Sequence, residues 1–146
     1  MYEHILIPTD GSALSEKAVK EGIAIAKEIS AKVTGVYVRP HFYHLIDYAE
    51  NIDATILDKY EEVANEQAKT HLAFVEQAAK AQGVACETLV VSGESPYEGI
   101  ISTAEDKGCD LIFMASHGRR GLSGLLIGSE TLKVLTHCNI PVLVCR

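Results

Sequence analysis

Apolar positions along the chain fall into two rhythms. Short, mainly apolar stretches at residues 4–8, 32–38, 85–91, 110–115 and 141–145 have the length and β-branched content of buried strands. Longer segments between them repeat apolar residues every three or four positions, as amphipathic helices do. Ser12 is the expected N-cap of the first helix, with Ala18, Val19, Gly22, Ile23, Ile25, Ala26 and Ile29 as its apolar stripe. The second helix spans 55–82, with Ile56, Tyr60, Val63, Ala64, Ala68, His71, Leu72, Val75 and Ala79 in line, and Gly83 stops it. Ser95-Pro96 opens a third, as N-cap and first helical residue, which runs to about Lys107 before Gly108. A fourth starts near Gly128-Ser129 and ends about His137. Residues 41–54 show no period; their aromatics and histidines suit either a lid or a plain surface loop.

Strands alternating with helices imply an α/β fold, a doubly wound parallel sheet of five strands with helices on both faces. No linker, repeat or low-complexity tract interrupts residues 1–146, so one domain is expected. Two strand orders satisfy the pattern, 3-2-1-4-5 and 2-1-3-4-5. In either, a ligand belongs beyond the carboxyl ends of the strands, where the order reverses. The first order sets Pro8-Thr9-Asp10 beside residues 114–118, with Val38 flanking them.

Residues 114–129, MASHGRRGLSGLLIGS, are where chemistry concentrates: four glycines, two arginines and three serines lie in this stretch leading into the fourth helix. Glycine permits φ > 0 and close approach of another group. A helix starting at Gly128-Ser129 adds free N–H groups and the positive end of its dipole. Together these suit a phosphate chain, although the segment is neither a Walker A loop nor GxGxxG. Asp10, across the crevice, is either a ribose acceptor or a turn and capping residue. His117 reads as a lone exposed loop histidine.

Composition narrows the classes. A net charge of −7 argues against general nucleic-acid binding and against adhesion to an anionic membrane. No apolar run is long enough to span a membrane and the first residues form a strand rather than a signal peptide, so a cytoplasmic location is expected. The four cysteines form no CxxC pair and no zinc-like cluster; Cys86, Cys109 and Cys145 read as small apolar residues in or beside strands.

The start Ile5-Leu6-Ile7-Pro8-Thr9-Asp10-Gly11-Ser12, the loop Ser116-His117-Gly118-Arg119-Arg120-Gly121 and the end from Gly128-Ser129 through Pro141-Val142-Leu143-Val144 resemble the universal stress protein family along the whole chain. The resemblance implies the order 3-2-1-4-5 and a dimer. It also implies ATP or AMP binding through G-x-x-G, nine residues, then G-[S/T]. Gly118, Arg119 to Ile127, and Gly128-Ser129 fit; Ala115 replaces the first glycine, and its methyl group is expected to weaken binding without abolishing it. By that resemblance Pro8, Thr9 and Asp10 border the ribose, with Asp10 contacting it. Val38 contacts the adenine, Met114 and Ala115 line base and sugar, and Gly118, Arg119, Gly128, Ser129 and Glu130 surround the phosphates. Mg2+ or Mn2+ would ride on the phosphates, since no dedicated ligand cluster is visible. The implied role is a nucleotide-dependent stress or signalling protein. The alternatives are a nucleotide-free dimeric module or an ATPase, slow at most because no general base stands out. In the order 3-2-1-4-5 the apolar strand 141–145 is an edge, and pairing with a second copy would cover it.

Overall fold

Among the described residues five strands and four helices alternate: β1 (His4–Pro8), α1 (Ala13–Ile29), β2 (Lys32–Pro40), α2 (Ala54–Gln82), β3 (Cys86–Gly93), α3 (Pro96–Asp106), β4 (Leu111–Ala115), α4 (Ser129–His137) and β5 (Val142–Cys145). They are seen in a computed structural model that describes residues 1–40, 53–119 and 126–146. The sheet is parallel throughout, with order β3-β2-β1-β4-β5, which settles the choice between the two orders.

Strand alternation divides the core into two layers. Ile5, Ile7, Val33 and Phe113 face Val19 and Ile23 of α1 and Val75 of α2. Leu6, Val36, Ile112 and Met114 face Ile100 of α3 and Val134 of α4. Each such side chain contributes about 1.5–3 kcal/mol on burial. Gly22 weakens α1 intrinsically, yet a Cβ there would lie 2.7 Å from Ile7 Cδ1 and 3.0 Å from Phe113. The residue lets helix and sheet approach.

Some boundaries and one burial pattern differ from expectation. The β2 strand continues through Arg39 and Pro40 because β3 extends beside it, pairing Arg39 with Ser92 and Pro40 with Gly93. The α2 helix starts at Ala54, where the Asp53 side chain caps the Thr55 N–H at 3.1 Å. Its apolar stripe is buried only in the second half, at Ala68, Leu72, Val75 and Ala79, whereas Ile56, Tyr60 and Val63 are exposed. At 1.5 Å per residue α2 is about 44 Å long, against about 30 Å for β2, so its first half overhangs the carboxyl edge of the sheet. The expected lid or loop at 41–54 lies outside the described residues apart from Asp53 and Ala54. All four thiols are free; burial pushes those of Cys86 and Cys109 up to about 11, which leaves them unreactive.

Candidate functional site

The crevice begins where β1 stops. The Thr9 N–H donates to the Val36 carbonyl at 2.9 Å, a last rung between β1 and β2. Gly11 then turns the chain with φ of 76°, in the left-handed region that favours glycine. Asp10 stands between them and serves two elements at once. Its Oδ1 accepts the Ser12 N–H at 2.9 Å, the local turn role. Its Oδ2 accepts the Arg119 N–H at 2.8 Å, tying the start of α1 to the loop after β4. Burial raises the carboxyl pKa, but the donors from Ser12, Arg119 and Ser15 outweigh it and hold Asp10 below its usual value.

The loop leaves β4 through a closed neck. The Ser116 N–H donates to the Cys145 carbonyl, and the Gly128 N–H to the Ser116 carbonyl, both at 2.7 Å. Buried Thr131 donates its hydroxyl to the Ala115 carbonyl at 2.9 Å. Gly118 and Gly128 have ordinary negative-side backbones, so close approach rather than positive φ explains them. A Cβ on Gly118 would collide with Asp10 Oδ2, and one on Gly128 would stand 3.2 Å from the Ser116 carbonyl. Both ends of the loop are thereby pressed onto the mouth of the β1–β4 crevice.

Gly128 is the N-cap of α4 and brings no side chain to cap it. The first intrahelical bond joins the Leu132 N–H to the Gly128 carbonyl at 3.0 Å, and the preceding N–H groups of the helix have no intrahelical partner. Glu130 sits in this first turn but reaches elsewhere. Its carboxylate accepts the Tyr97 N–H at 2.9 Å and pairs with Lys133 at 2.8 Å. It thus caps α3, a task the sequence assigns to Ser95, which occupies the N-cap position without a side-chain bond. Among the described residues no side chain caps the N-terminus of α4, because the Glu130 carboxylate in its first turn is bonded to Tyr97 and Lys133.

The remaining expected residues are arranged as follows. Pro8 and Thr9 border Asp10 at the end of β1. Met114 is buried in the layer facing α3 and α4, and half-buried Val38 packs against the same layer. Val38 is pressed against Gly99 of α3, where a Cβ would come within 2.9 Å of it. Ala115 belongs to the opposite layer, facing α1, so its methyl group is engaged in packing. Ser129 is exposed at the start of α4. The Arg119 side chain leaves the crevice and places Nη2 2.9 Å from Nε2 of His71 on α2.

Two histidines carry more than their sequence context signals. The His71 ring occupies the space a Cβ would need at Gly11, and it tilts against Tyr37 with centroids 5.7 Å apart. Burial and the Arg119 charge hold it below its usual pKa, against the opposing pull of Asp10 and Glu16. His117 is half-buried rather than exposed: its Nδ1 lies 2.9 Å from Ser116 Oγ, and its Nε2 is buried with no hydrogen-bond partner among the described residues. Nothing local marks His71, because Gly11, Tyr37 and Arg119 are distant in the chain.

Beside the Arg119–His71 pair, an open cavity of about 550 Å³ is lined by Glu62, Val63, Glu66, Gln67, Thr70, His71 and Arg119. Among the described residues no group of three or more His, Cys, Asp or Glu side chains could hold a metal ion. Nor is any described helix long and apolar enough to cross a membrane.

The profile of the Universal stress protein family matches residues 1–146. Universal stress protein MJ0531 of Methanocaldococcus jannaschii is 34% identical over 149 residues, covering 100% of this chain and 83% of the relative. The solved structure of the hypothetical protein MJ0577 superimposes with a TM-score of 0.84 at 32% identity, covering 99% of this chain and 96% of that one. A universal stress protein solved in complex with cAMP shares the fold with a TM-score of 0.70 at 24% identity, covering 99% and 97%.

Proposed function

The chain belongs to the universal stress protein family, and from that footing we propose that it binds ATP or AMP in the β1–β4 crevice and acts as a nucleotide-dependent stress or signalling protein. The observation that carries this reading is the juxtaposition at the crevice mouth. Asp10, a carboxylate suited to a ribose, is bonded to the same loop that leads into the uncapped N-terminus of α4, suited to phosphates. A relative of the same fold is complexed with cAMP, so an adenine nucleotide is compatible with this architecture.

In this reading Asp10 accepts from the ribose, Val38 and Met114 flank the base, and Ala115 lies beside the sugar. Gly118, Arg119, Gly128 and Ser129 surround the phosphates, with the Gly118 and Ser129 N–H groups as the donors, because those of Arg119 and Gly128 are already bonded to Asp10 and to the Ser116 carbonyl. The unpartnered Nε2 of His117 is a further group that a phosphate oxygen would satisfy. Glu130 contributes indirectly, by taking its charge to α3. A divalent ion has no ligand cluster among the described residues and would be held by the phosphates themselves.

Binding rather than turnover is favoured, because Asp10 already accepts two N–H bonds and is held ionised, which makes it a poor general base. The protein would act in the cytoplasm as a homodimer joined through β5. Mass spectrometry of the small molecules released on denaturing the purified protein tests the reading, with adenine nucleotide near one per chain as the expected result. Protein that carries none, and takes up none from millimolar ATP, would refute it. Phosphate release at ATP excess, expected to be negligible, separates binding from hydrolysis.

A further inference from the structure

The arginine expected at the phosphates is held away from the crevice by a histidine. Arg119 is fixed at its backbone by Asp10 Oδ2 and at its guanidinium by His71 Nε2, 2.8 Å and 2.9 Å respectively. A guanidinium only donates hydrogen bonds, so Nε2 must be the accepting nitrogen and His71 must be the neutral tautomer protonated at Nδ1. Its ring has little freedom to turn, wedged between Gly11 and Tyr37. An open cavity of about 550 Å³ adjoins the pair, with Glu62 and Glu66 on its α2 wall, so the guanidinium has room to leave.

Resting on the nucleotide-binding reading, we propose that His71 is the positioning residue for Arg119. When neutral it parks the guanidinium against α2; when protonated it surrenders it to the phosphate chain, so that affinity for ATP rises as pH falls. Protonation takes one proton from solvent onto Nε2 and removes the only lone pair Arg119 can use. Two cations then lie within hydrogen-bond distance of each other, and the polyanion at the neighbouring loop is the stronger attraction. The charged groups facing His71 are Arg119 from the loop, Asp10 from the turn after β1 and Glu16 from α1, with the Tyr37 ring from β2. Asp10 and Glu16 favour the imidazolium; burial and Arg119 oppose it, so the neutral form prevails until phosphate draws Arg119 away.

The sign follows from linkage. A phosphate chain that removes Arg119 and adds negative charge raises the His71 pKa in the complex. The complex therefore binds the proton more tightly than the free protein, and acidification strengthens ATP binding. A difference of one pKa unit corresponds to about tenfold in affinity.

The test is calorimetric titration of ATP at pH 7.5 and pH 6.0 into wild type and His71→Gln, with adenosine as the phosphate-free probe. Glutamine can accept from Arg119 through its amide oxygen but does not titrate, so protonation of ATP itself cancels between the two proteins. Wild type should gain about threefold to tenfold more than His71→Gln on acidification, and adenosine should show no such difference. Equal pH dependence in both proteins overturns the proposal while leaving nucleotide binding intact; absence of ATP binding at either pH in wild type refutes both. An NMR titration of His71 in the nucleotide-free protein gives an independent reading. Arg119→Gln should raise its midpoint, and an unmoved midpoint also overturns the proposal.

Discussion

Asp10 does at the scale of one residue what the sequence offers as alternatives. It caps a turn through Oδ1 and reaches the loop through Oδ2, and its ribose role is a further demand on the same carboxylate. Asp10→Asn should lose the acceptor pair at one oxygen and cost roughly 1.5–3 kcal/mol in both stability and ATP affinity. Denaturant midpoints and calorimetry check the two effects. Because its pKa is lowered on folding, the stabilisation from this carboxylate is present above about pH 4 and is lost as pH falls through the folded value. The acid limb of the wild-type stability curve should therefore flatten in Asp10→Asn. Ala115 is expected to crowd the nucleotide, but its methyl group packs in the layer facing α1, and its backbone is not in the left-handed region. Ala115→Gly should cost about 1–2 kcal/mol in thermal unfolding from lost burial and added chain entropy, with ATP affinity unchanged. Tighter binding by that variant would restore the crowding explanation.

Elements were legible wherever periodicity and punctuation agreed. Ser12 as cap, Gly83 as stop and the five apolar runs all stand where the pattern puts them, within a residue or two. The failures share a physical origin, contact between segments distant in sequence. The stripe of α2 is continuous through Ile56 and Val63, yet no periodicity reveals that the sheet ends beneath the helix midway. Ser95 has the residue type of a cap, but Glu130 from α4 supplies the bond. His71 reads as part of a stripe because the turn it packs on lies sixty positions earlier, at Gly11. For Gly118 and Gly128 the sequence left two reasons open, positive φ and close approach, and the structure shows the second: the Asp10 carboxylate and the Ser116 carbonyl occupy the space that side chains would need. Glu130→Gln should weaken the capping of α3 by about 0.5–1 kcal/mol without loss of ATP affinity, measured by chemical denaturation and calorimetry together. A large fall in ATP affinity with unchanged stability would return Glu130 to the phosphates.

At the scale of the whole molecule, β5 is an edge strand that pairs among the described residues with β4 alone. Leu143 within it is 42% exposed, and Leu132 and Leu135 of α4 are exposed as well. An apolar edge strand without an inserted charge invites pairing, and a second copy about a two-fold axis is the self-complementary solution. Sedimentation should give a dimer at micromolar concentration for the wild type and a monomer for Leu143→Lys, whose core is untouched. A wild-type monomer, or a dimeric variant, would place the contact elsewhere or remove it. The crevice between β1 and β4 has a more decisive probe in Gly118, because any Cβ there displaces the Asp10 carboxylate from its place against the Arg119 N–H. The most direct measurement is calorimetric titration of ATP into nucleotide-stripped wild type and Gly118→Val side by side. Saturable binding near one ATP per chain in the wild type, lost in folded Gly118→Val, is the expected result. No binding by the wild type, or equal affinity in the two proteins, would contradict a nucleotide site in the β1–β4 crevice.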